Sequence, residues 1–459
     1  MLIVDDKNTI FSSENVFFFV GIGGISMSAL ALIMLEKGFE VRGYDRDSDT
    51  PLVNQLKKAG IPICHSYYDG VFDGVTRVVY TAAIQDSDIM LSAPRTMGLF
   101  TMERSEFLGQ LMKTEGNPIG IAGTHGKSST TGMISSIFLE ARRDPTVLVG
   151  AEMPSLGGCY HIGKGKDFIF EACEYKDSFL DFFPGVAVVL NIALDHVDYF
   201  GTIENIIASF RKYIFIAHTA ILNYDCENCH KAAEGYENTL IWFSESGNEN
   251  ADYYAGNMRL DNGCAVFDAY FKGQYLGVLH LGVVGAFHIG NALAALATAH
   301  SQGIDFVFIQ KGLASFTGVK RRFERKGYYH GALVVEDYAH HPDEIRATVS
   351  AALSIHKNHV IAIFQPHTYT RTAKLFNAFT KAFQGCHKVL FADIYSAREK
   401  PNGVTSQMLA QQTENGLYCP DDESIVNALD ELVQKGDILL VLGAGNINRI
   451  IPKIMKVSQ

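Results

Sequence analysis

Ile119-Gly120-Ile121-Ala122-Gly123-Thr124-His125-Gly126-Lys127-Ser128-Ser129-Thr130 decides the fold. The first four residues are apolar and predict a short buried strand that runs straight into a glycine-rich turn. Residues 127–140 predict the helix that follows. A strand that ends in such a turn and opens a helix aims backbone N–H groups at one point, and the helix dipole adds positive potential there. Lys127 supplies a point charge for the β and γ phosphates, and the Ser128 hydroxyl suits Mg²⁺. Gly123, Thr124, His125, Gly126, Lys127, Ser128 and Ser129 are therefore read as an ATP-binding loop. The spacing is tighter than the general G-x-x-x-x-G-K-[ST] rule, since Ile121 stands where the first glycine would be.

Outward from this loop, short β-branched or aromatic runs alternate with longer helical patterns, the signature of α/β layers with mostly parallel strands. Val16–Val20, Glu40–Tyr44 and Arg77–Tyr80 are predicted strands of a first sheet, with a helix near Ser26–Glu36. The polar stretch Lys113–Pro118 marks a boundary before the loop's own domain, which continues through strands at Phe168–Phe170 and Val186–Leu190. The basic segment Gly318–Phe323 marks a second boundary. Beyond it, Ala332–Glu336, Val360–Phe364, Lys388–Ala392 and Ile438–Leu442 form another strand series. The prediction is a three-domain α/β chain: a Rossmann-like N-terminal domain (1–115), a central P-loop ATPase-like domain with a mostly parallel sheet (116–322), and a Rossmann-like C-terminal domain (323–459).

The 459 residues, 47% of them hydrophobic, are enough for several cores. A net charge of −11 argues against general nucleic-acid binding, which needs a basic surface. The eight cysteines are scattered. Cys226 and Cys229 have metal-type spacing but lack a second pair, so they are read as ordinary thiols in a reducing compartment. No basic-then-apolar leader and no apolar run of about 20 residues is found, and a cytoplasmic chain without a membrane span is expected.

Three further regions carry chemistry. Glu171 closes the apolar strand Phe168–Phe170, and Asp195-His196 follows Val186–Leu190. Both would lie at C-terminal strand edges, where α/β ligand sites form, and offer metal-binding groups. Gly21-Ile22-Gly23-Gly24-Ile25-Ser26, with Asp45 at the next strand end, fits a ligand bearing a diphosphate without fixing its sugar or base. In the third domain, Glu336–Pro342, Gln365–Arg371 and Asp393–Glu399 are polar strand ends whose His, Arg and Asp suit carboxylates, phosphates and proton transfer. His340 and His341 are adjacent and cannot both face the same way in extended chain.

Taken in order, these motifs closely resemble the Mur ligases of peptidoglycan synthesis, in their alanine-adding branch. The resemblance spans essentially the whole chain. It is carried by Phe19–Met27, the Gly-Thr-His-Gly-Lys loop, Glu171–Tyr175, Asp195–Tyr199, Gly318–Phe323, Asp337–Pro342, Gln365–Thr372 and Ala397–Pro401. It implies UDP-N-acetylmuramate and L-alanine as substrates and ATP with Mg²⁺ as cofactors, with the lactyl carboxylate phosphorylated before the amino group attacks. It implies that Gly21, Gly23, Gly24, Ser26 and Asp45 serve the nucleotide sugar, and that Ser128, Glu171 and His196 hold the metal. Asn291 is placed near the adenine. Arg322, His341, His367 and Arg371 are placed along the substrate cleft, with Lys127, His196, His341 and Arg371 as the catalytic group.

This chain departs from the family pattern at several positions. Ser128 and Ser129 replace two threonines, Phe287-His288 replaces His-Asn, Ala193 replaces a common glutamate, and Asn446 replaces an aspartate. Three competing readings are a recycling ligase that adds a tripeptide to the same nucleotide, a non-catalytic nucleotide-binding regulator, and an NAD-dependent dehydrogenase. The stretch Lys176–Leu180 resembles the alanine-adding type. Oligomeric state is not legible in the sequence.

Overall fold

The computed structural model describes residues 10–355, 358–397 and 399–457. Three sheets organise the described residues, one per predicted unit. The first contains β1 (Val16–Val20), β2 (Glu40–Tyr44), β3 (Ile63–Cys64), β4 (Arg77–Tyr80) and β5 (Phe100–Glu103), all parallel, in the order β3-β2-β1-β4-β5. Strand order reverses beside β1, and the glycine-rich turn leaves its C-terminal end, where open α/β sheets bind ligands.

The middle sheet comprises β6 (Asn117–Ala122), β7 (Thr146–Met153), β8 (Gly158–His161), β9 (Asp167–Glu171), β10 (Val186–Val189), β11 (Thr219–Asn223), β12 (Thr239–Ser244), β13 (Tyr253–Asp261), β14 (Cys264–Phe271) and β15 (Gln274–Val284). Its order is β15-β14-β13-β12-β11-β10-β6-β9-β7-β8. β6 lies between β10 and β9, parallel to both. Its last four residues are buried, as a strand covered on both faces requires. β6 starts two residues earlier than its apolar run suggests. The Asn117 side chain bonds Asp167 at 2.7 Å, and Pro118 offers its carbonyl to Gly185. The antiparallel run β13–β15 extends this sheet beyond the predicted parallel strands.

The third sheet holds β16 (Glu324–Tyr329), β17 (Ala332–Asp337), β18 (Val360–Phe364), β19 (Lys388–Phe391), β20 (Gly416–Tyr418) and β21 (Ile438–Leu442), in the order β16-β17-β21-β18-β19-β20. All pairs are parallel except β16–β17. The central β18 and β21 are entirely buried. Among the described residues no helix is long and apolar enough to cross a membrane.

Candidate functional site

The loop after β6 needs glycine at two points. Gly123 has φ +143° and packs on Leu190, where an added Cβ would sit 3.0 Å away. Gly126 has φ +87° and precedes helix Lys127–Glu140, and a Cβ there would meet Asn291 Oδ1 at 2.5 Å. Asn191, just past β10, braces the turn: its Oδ1 accepts His125 N–H at 2.8 Å and its Nδ2 donates to His125 O at 3.1 Å. The Thr124 hydroxyl accepts the Ala193 N–H at 2.9 Å. This contact uses only the Ala193 backbone, so the departure from glutamate leaves it intact. The first bond inside the helix runs from Thr130 N–H to Gly126 O. The N–H groups of Lys127, Ser128 and Ser129 therefore have no partner within the first turn, an arrangement that suits an anion.

Lys127 Nζ folds back onto the loop carbonyls of Gly123 and Thr124 and pairs with Glu174 Oε2 at 2.9 Å. Burial pushes its ammonium down, but Glu174 and its acidic neighbours outweigh this and leave it above the usual lysine range. Glu171, at the end of β9, accepts Gly150 N–H at 2.6 Å and the Ser128 hydroxyl. Burial raises its carboxyl above the usual range despite Lys127 and Arg322.

On the other side of β6, Asp195 and His196 follow β10. His196 has φ +47° and donates its N–H to Asp195 Oδ1 at 2.7 Å; its ring faces Tyr175, and its Nε2 stands 3.6 Å from Glu174 Oε1. Burial alone would raise the Asp195 carboxyl. Arg371, 3.0 Å away, together with His196 holds it far below the usual range. The loop lysine, both predicted metal-side residues and Glu174 thus converge on three adjacent strand ends.

The third unit closes over this edge. Glu344 reaches His125 Nδ1 at 3.2 Å and Arg322 at 3.6 Å, and accepts the N–H groups of His340 and His341. His125 Nε2 is buried and has no hydrogen-bond partner among the described residues. The two adjacent histidines do face apart. His341 lies against His125, with ring centroids 5.2 Å apart, whereas His340 lies 5.8 Å from the His367 ring. Burial lowers both imidazoles, His340 to about 4, so both are neutral at pH 7. His367 stacks on Tyr395 and approaches Arg371 at 3.4 Å. Arg398, in the third polar strand end, lies outside the described residues.

Two cavities flank the centre. One, of about 370 Å³, is lined by Ser129, Glu245, Phe287, His288, Asn291 and Arg322. His288 is buried, and burial first, then Arg322, lowers it to about 3; its Nδ1 is 3.2 Å from Asn291 Nδ2. Glu245 accepts Gly290 N–H at 3.0 Å. The other cavity, of about 510 Å³, is lined by Tyr175, Asp195, His196, His340, His367 and Arg371. Arg322 and His341 accordingly sit on the loop side, and His367 and Arg371 on the far side. At the first sheet, Gly21 has φ +79°, and Gly23 donates its N–H to Asp45 Oδ2 at 2.7 Å, so Asp45 fixes the turn itself. Ser26 Oγ accepts from Arg104 at 3.4 Å. Asn446 exchanges two hydrogen bonds with Gln365, which fixes two strand ends of the third sheet.

Sequence reasoning did not single out Glu174, Asn191, Glu245 or Glu344. Glu174 had a signal, as the second glutamate of the run Glu171–Tyr175. Glu344 had none, because its role depends on packing between units.

The comparisons with known proteins follow the same three-part division. Three Mur ligase descriptions match in order: "Mur ligase family, catalytic domain" over residues 17–115, "Mur ligase middle domain" over 121–299, and "Mur ligase, glutamate ligase domain" over 321–445. A UDP-N-acetylmuramate–L-alanine ligase of Caldanaerobacter subterraneus subsp. tengcongensis is 40% identical over 450 residues, covering 96% of this chain and 97% of that one. Its counterpart in Clostridium acetobutylicum is 41% identical over 441 residues, covering 94% and 95%. The crystal structure of the UDP-N-acetylmuramate–alanine ligase of Thermotoga maritima superposes with a TM-score of 0.80 at 25% identity, covering 96% and 98%. A murein peptide ligase from Psychrobacter arcticus shares the fold at a TM-score of 0.71 and 21% identity, covering 96% and 98%. With matches of this extent on three consecutive units, and a glycine-rich loop set between two strand-end acidic groups, the chain belongs to the Mur ligase family.

Proposed function

We propose that this chain joins L-alanine to the lactyl carboxylate of UDP-N-acetylmuramate, using ATP and passing through an acyl phosphate, in the cytoplasm. The observation that carries the reading is the convergence of Lys127, Glu171, Glu174 and Asp195-His196 on the ends of β6, β9 and β10, with Arg371 reaching in from the third unit. Extensive identity to relatives with that printed activity supports it. The units are proposed to divide as 1–115 for the nucleotide sugar, 116–322 for ATP, and 323–459 for closure and the amino acid.

ATP is assigned to the 370 Å³ cavity and the loop beside it. The outward N–H groups of Lys127–Ser129 are the groups that need an anionic partner, and His125, whose Nε2 is unpaired, lines the same cavity. Lys127 is the γ-phosphate contact, and it leaves Glu174 to take that role. Arg371 and the loop offset negative charge as the phosphoryl group moves to the carboxylate oxygen. Neutral His341 is the assigned acceptor for the proton that alanine's ammonium must lose before it attacks.

The donor set fits Mg²⁺: Ser128 and Glu171 already meet at one strand end, and His196 faces Glu174 at the next. Mg²⁺ would offset phosphate charge there, held by Ser128, Glu171 and His196.

Phosphate release from ATP and UDP-N-acetylmuramate, with single amino acids or a tripeptide added, tests this reading. L-alanine should support turnover. Turnover with the tripeptide and none with L-alanine would assign the recycling reaction instead, and binding of NAD rather than UDP would point to a dehydrogenase.

A further inference from the structure

Outside both cavities, two cysteines that the ligase chemistry leaves unused sit one turn apart. Cys229 N–H donates to Cys226 O at 2.9 Å across the turn after β11. Cys229 is fully buried, while Cys226 is half-buried between the exposed Asp225 and Glu227. The Cys229 thiol donates to the Cys226 sulfur, which also accepts the backbone N–H groups of Ile192 and Asn228. These bonds, Cys229's foremost, bring the Cys226 thiol down to about 6 against the effect of burial. The same contact and burial push Cys229 up. The outer sulfur is thus the more acidic of the two and the attacking group, with the thiol beneath it held protonated. A C-x-x-C pair between parallel strands, with one lowered and reachable sulfur, has the arrangement of a dithiol that cycles.

We propose that Cys226 and Cys229 are a redox-active dithiol, oxidised by hydroperoxides to an intramolecular disulfide. The Cys226 thiolate attacks the terminal oxygen of the hydroperoxide and the O–O bond breaks. The alkoxide or hydroxide released takes a proton, and Cys226 becomes a sulfenic acid. The Cys229 sulfur then attacks the Cys226 sulfur, and its thiol proton leaves with the hydroxyl as water. Two thiols have then lost two electrons and two protons, and the hydroperoxide has been reduced to an alcohol, or water, plus one water. A dithiol reductant reverses the step by exchange.

The pair abuts the segment that braces the phosphate loop. Asn228 Nδ2 bonds Ile192 O at 2.9 Å and Asn223 Nδ2 bonds Leu190 O at 3.0 Å, on either side of Asn191. Disulfide formation makes the Cys226 sulfur a weaker acceptor for the Ile192 backbone and so loosens the segment that positions His125 and leads to Asp195.

Peptide mapping of the full chain after hydrogen peroxide treatment tests the site without reference to ligase activity. The peptide holding both cysteines should lose about 2 Da, two hydrogens, and regain it with dithiothreitol. Cys229→Ser should stop at a sulfenic acid on Cys226 that a dione reagent traps, and Cys226→Ser should give neither product. If these variants fold poorly, mapping of the unmodified chain decides alone. Oxidation confined to the exposed Cys173, with Cys226 and Cys229 still reduced, overturns the proposal. A second arm rests on the proposed ligase reaction: alanine-dependent ATP hydrolysis should fall in step with the disulfide and recover on reduction. Complete disulfide with unchanged turnover would sever the link to the loop.

Discussion

Arg371 Nη2 lies 3.0 Å from Asp195 Oδ1, so one ion pair ties the third unit's helix Tyr369–Lys374 to the loop after β10. Both side chains are largely buried, and Asp195 also holds the backbone of His196. The pair therefore joins the third unit to the setting of His196, the proposed metal-side histidine. Truncating one partner leaves a buried charge uncompensated, a loss of about 3–5 kcal/mol. Arg371→Ala should lower kcat/KM for the amino acid at least ~100-fold, the usual cost of losing one preorganised charge at a transfer site. Arg371→Lys keeps the charge without the fork and should fall between. Steady-state kinetics check this order; an Ala variant as active as the Lys variant would contradict it.

Lys127 is held by Glu174 and by its own loop, poised at the point where the first-turn N–H groups converge. Lys127→Ala should reduce amino-acid-dependent ATP hydrolysis by roughly 10²–10³-fold or more, the usual cost of removing one preorganised charge from a transfer site. Circular dichroism should show the fold kept. Unchanged turnover would remove Lys127 from the phosphate site.

Gly126 combines left-handed backbone with close approach to Asn291 Oδ1. A Cβ costs about 1–2 kcal/mol in that conformation and must also displace the Asn291 side chain. Gly126→Ala should therefore weaken nucleotide binding, raising KM for ATP more than it lowers thermal stability. Calorimetry with ATP measures the first effect and thermal melting the second. Wild-type affinity in this variant would mean that the loop adapts.

How far the sequence could be read follows from where each signal resides. The central strands Val16–Val20, Val360–Phe364 and Ile438–Leu442 have the extents their apolar runs predict, because a strand covered on both faces must be apolar throughout. Helix Lys127–Glu140 likewise follows from its glycine turn. β13–β15 were not legible: their burial is interrupted by exposed positions, and their pairing depends on partners distant in sequence. The strand-end residues Lys127, Glu171, Asp195 and His196 could be placed near one another from topology alone. The identities of their partners could not. Glu174 reaches Lys127 from the loop that leaves β9, whose path no local pattern fixes, and Glu344 reaches His125 from the third unit, across a boundary between units.

Asp337 supplies a test of the closing unit by pH. Its carboxylate accepts the N–H groups of Phe323 and Ala339, each at 2.7 Å, and so fixes the junction between the basic segment and β17. Burial raises it from 3.8 to about 6, more than nearby Arg322 and the two N–H groups lower it. The folded chain thus binds this proton more tightly than the unfolded chain does. The stability it contributes is fully present below pH 3.8 and is lost as pH rises through about 6. Asp337→Asn cannot titrate, and it loses one acceptor at every pH, a cost of about 1–3 kcal/mol. The difference between wild-type and variant unfolding free energies should therefore shift in the variant's favour between pH 5 and pH 8, by about 1.4 kcal/mol. Urea unfolding at those two pH values measures the difference directly. A shift in the wild type's favour over the same interval would mean that Arg322, rather than burial, governs Asp337.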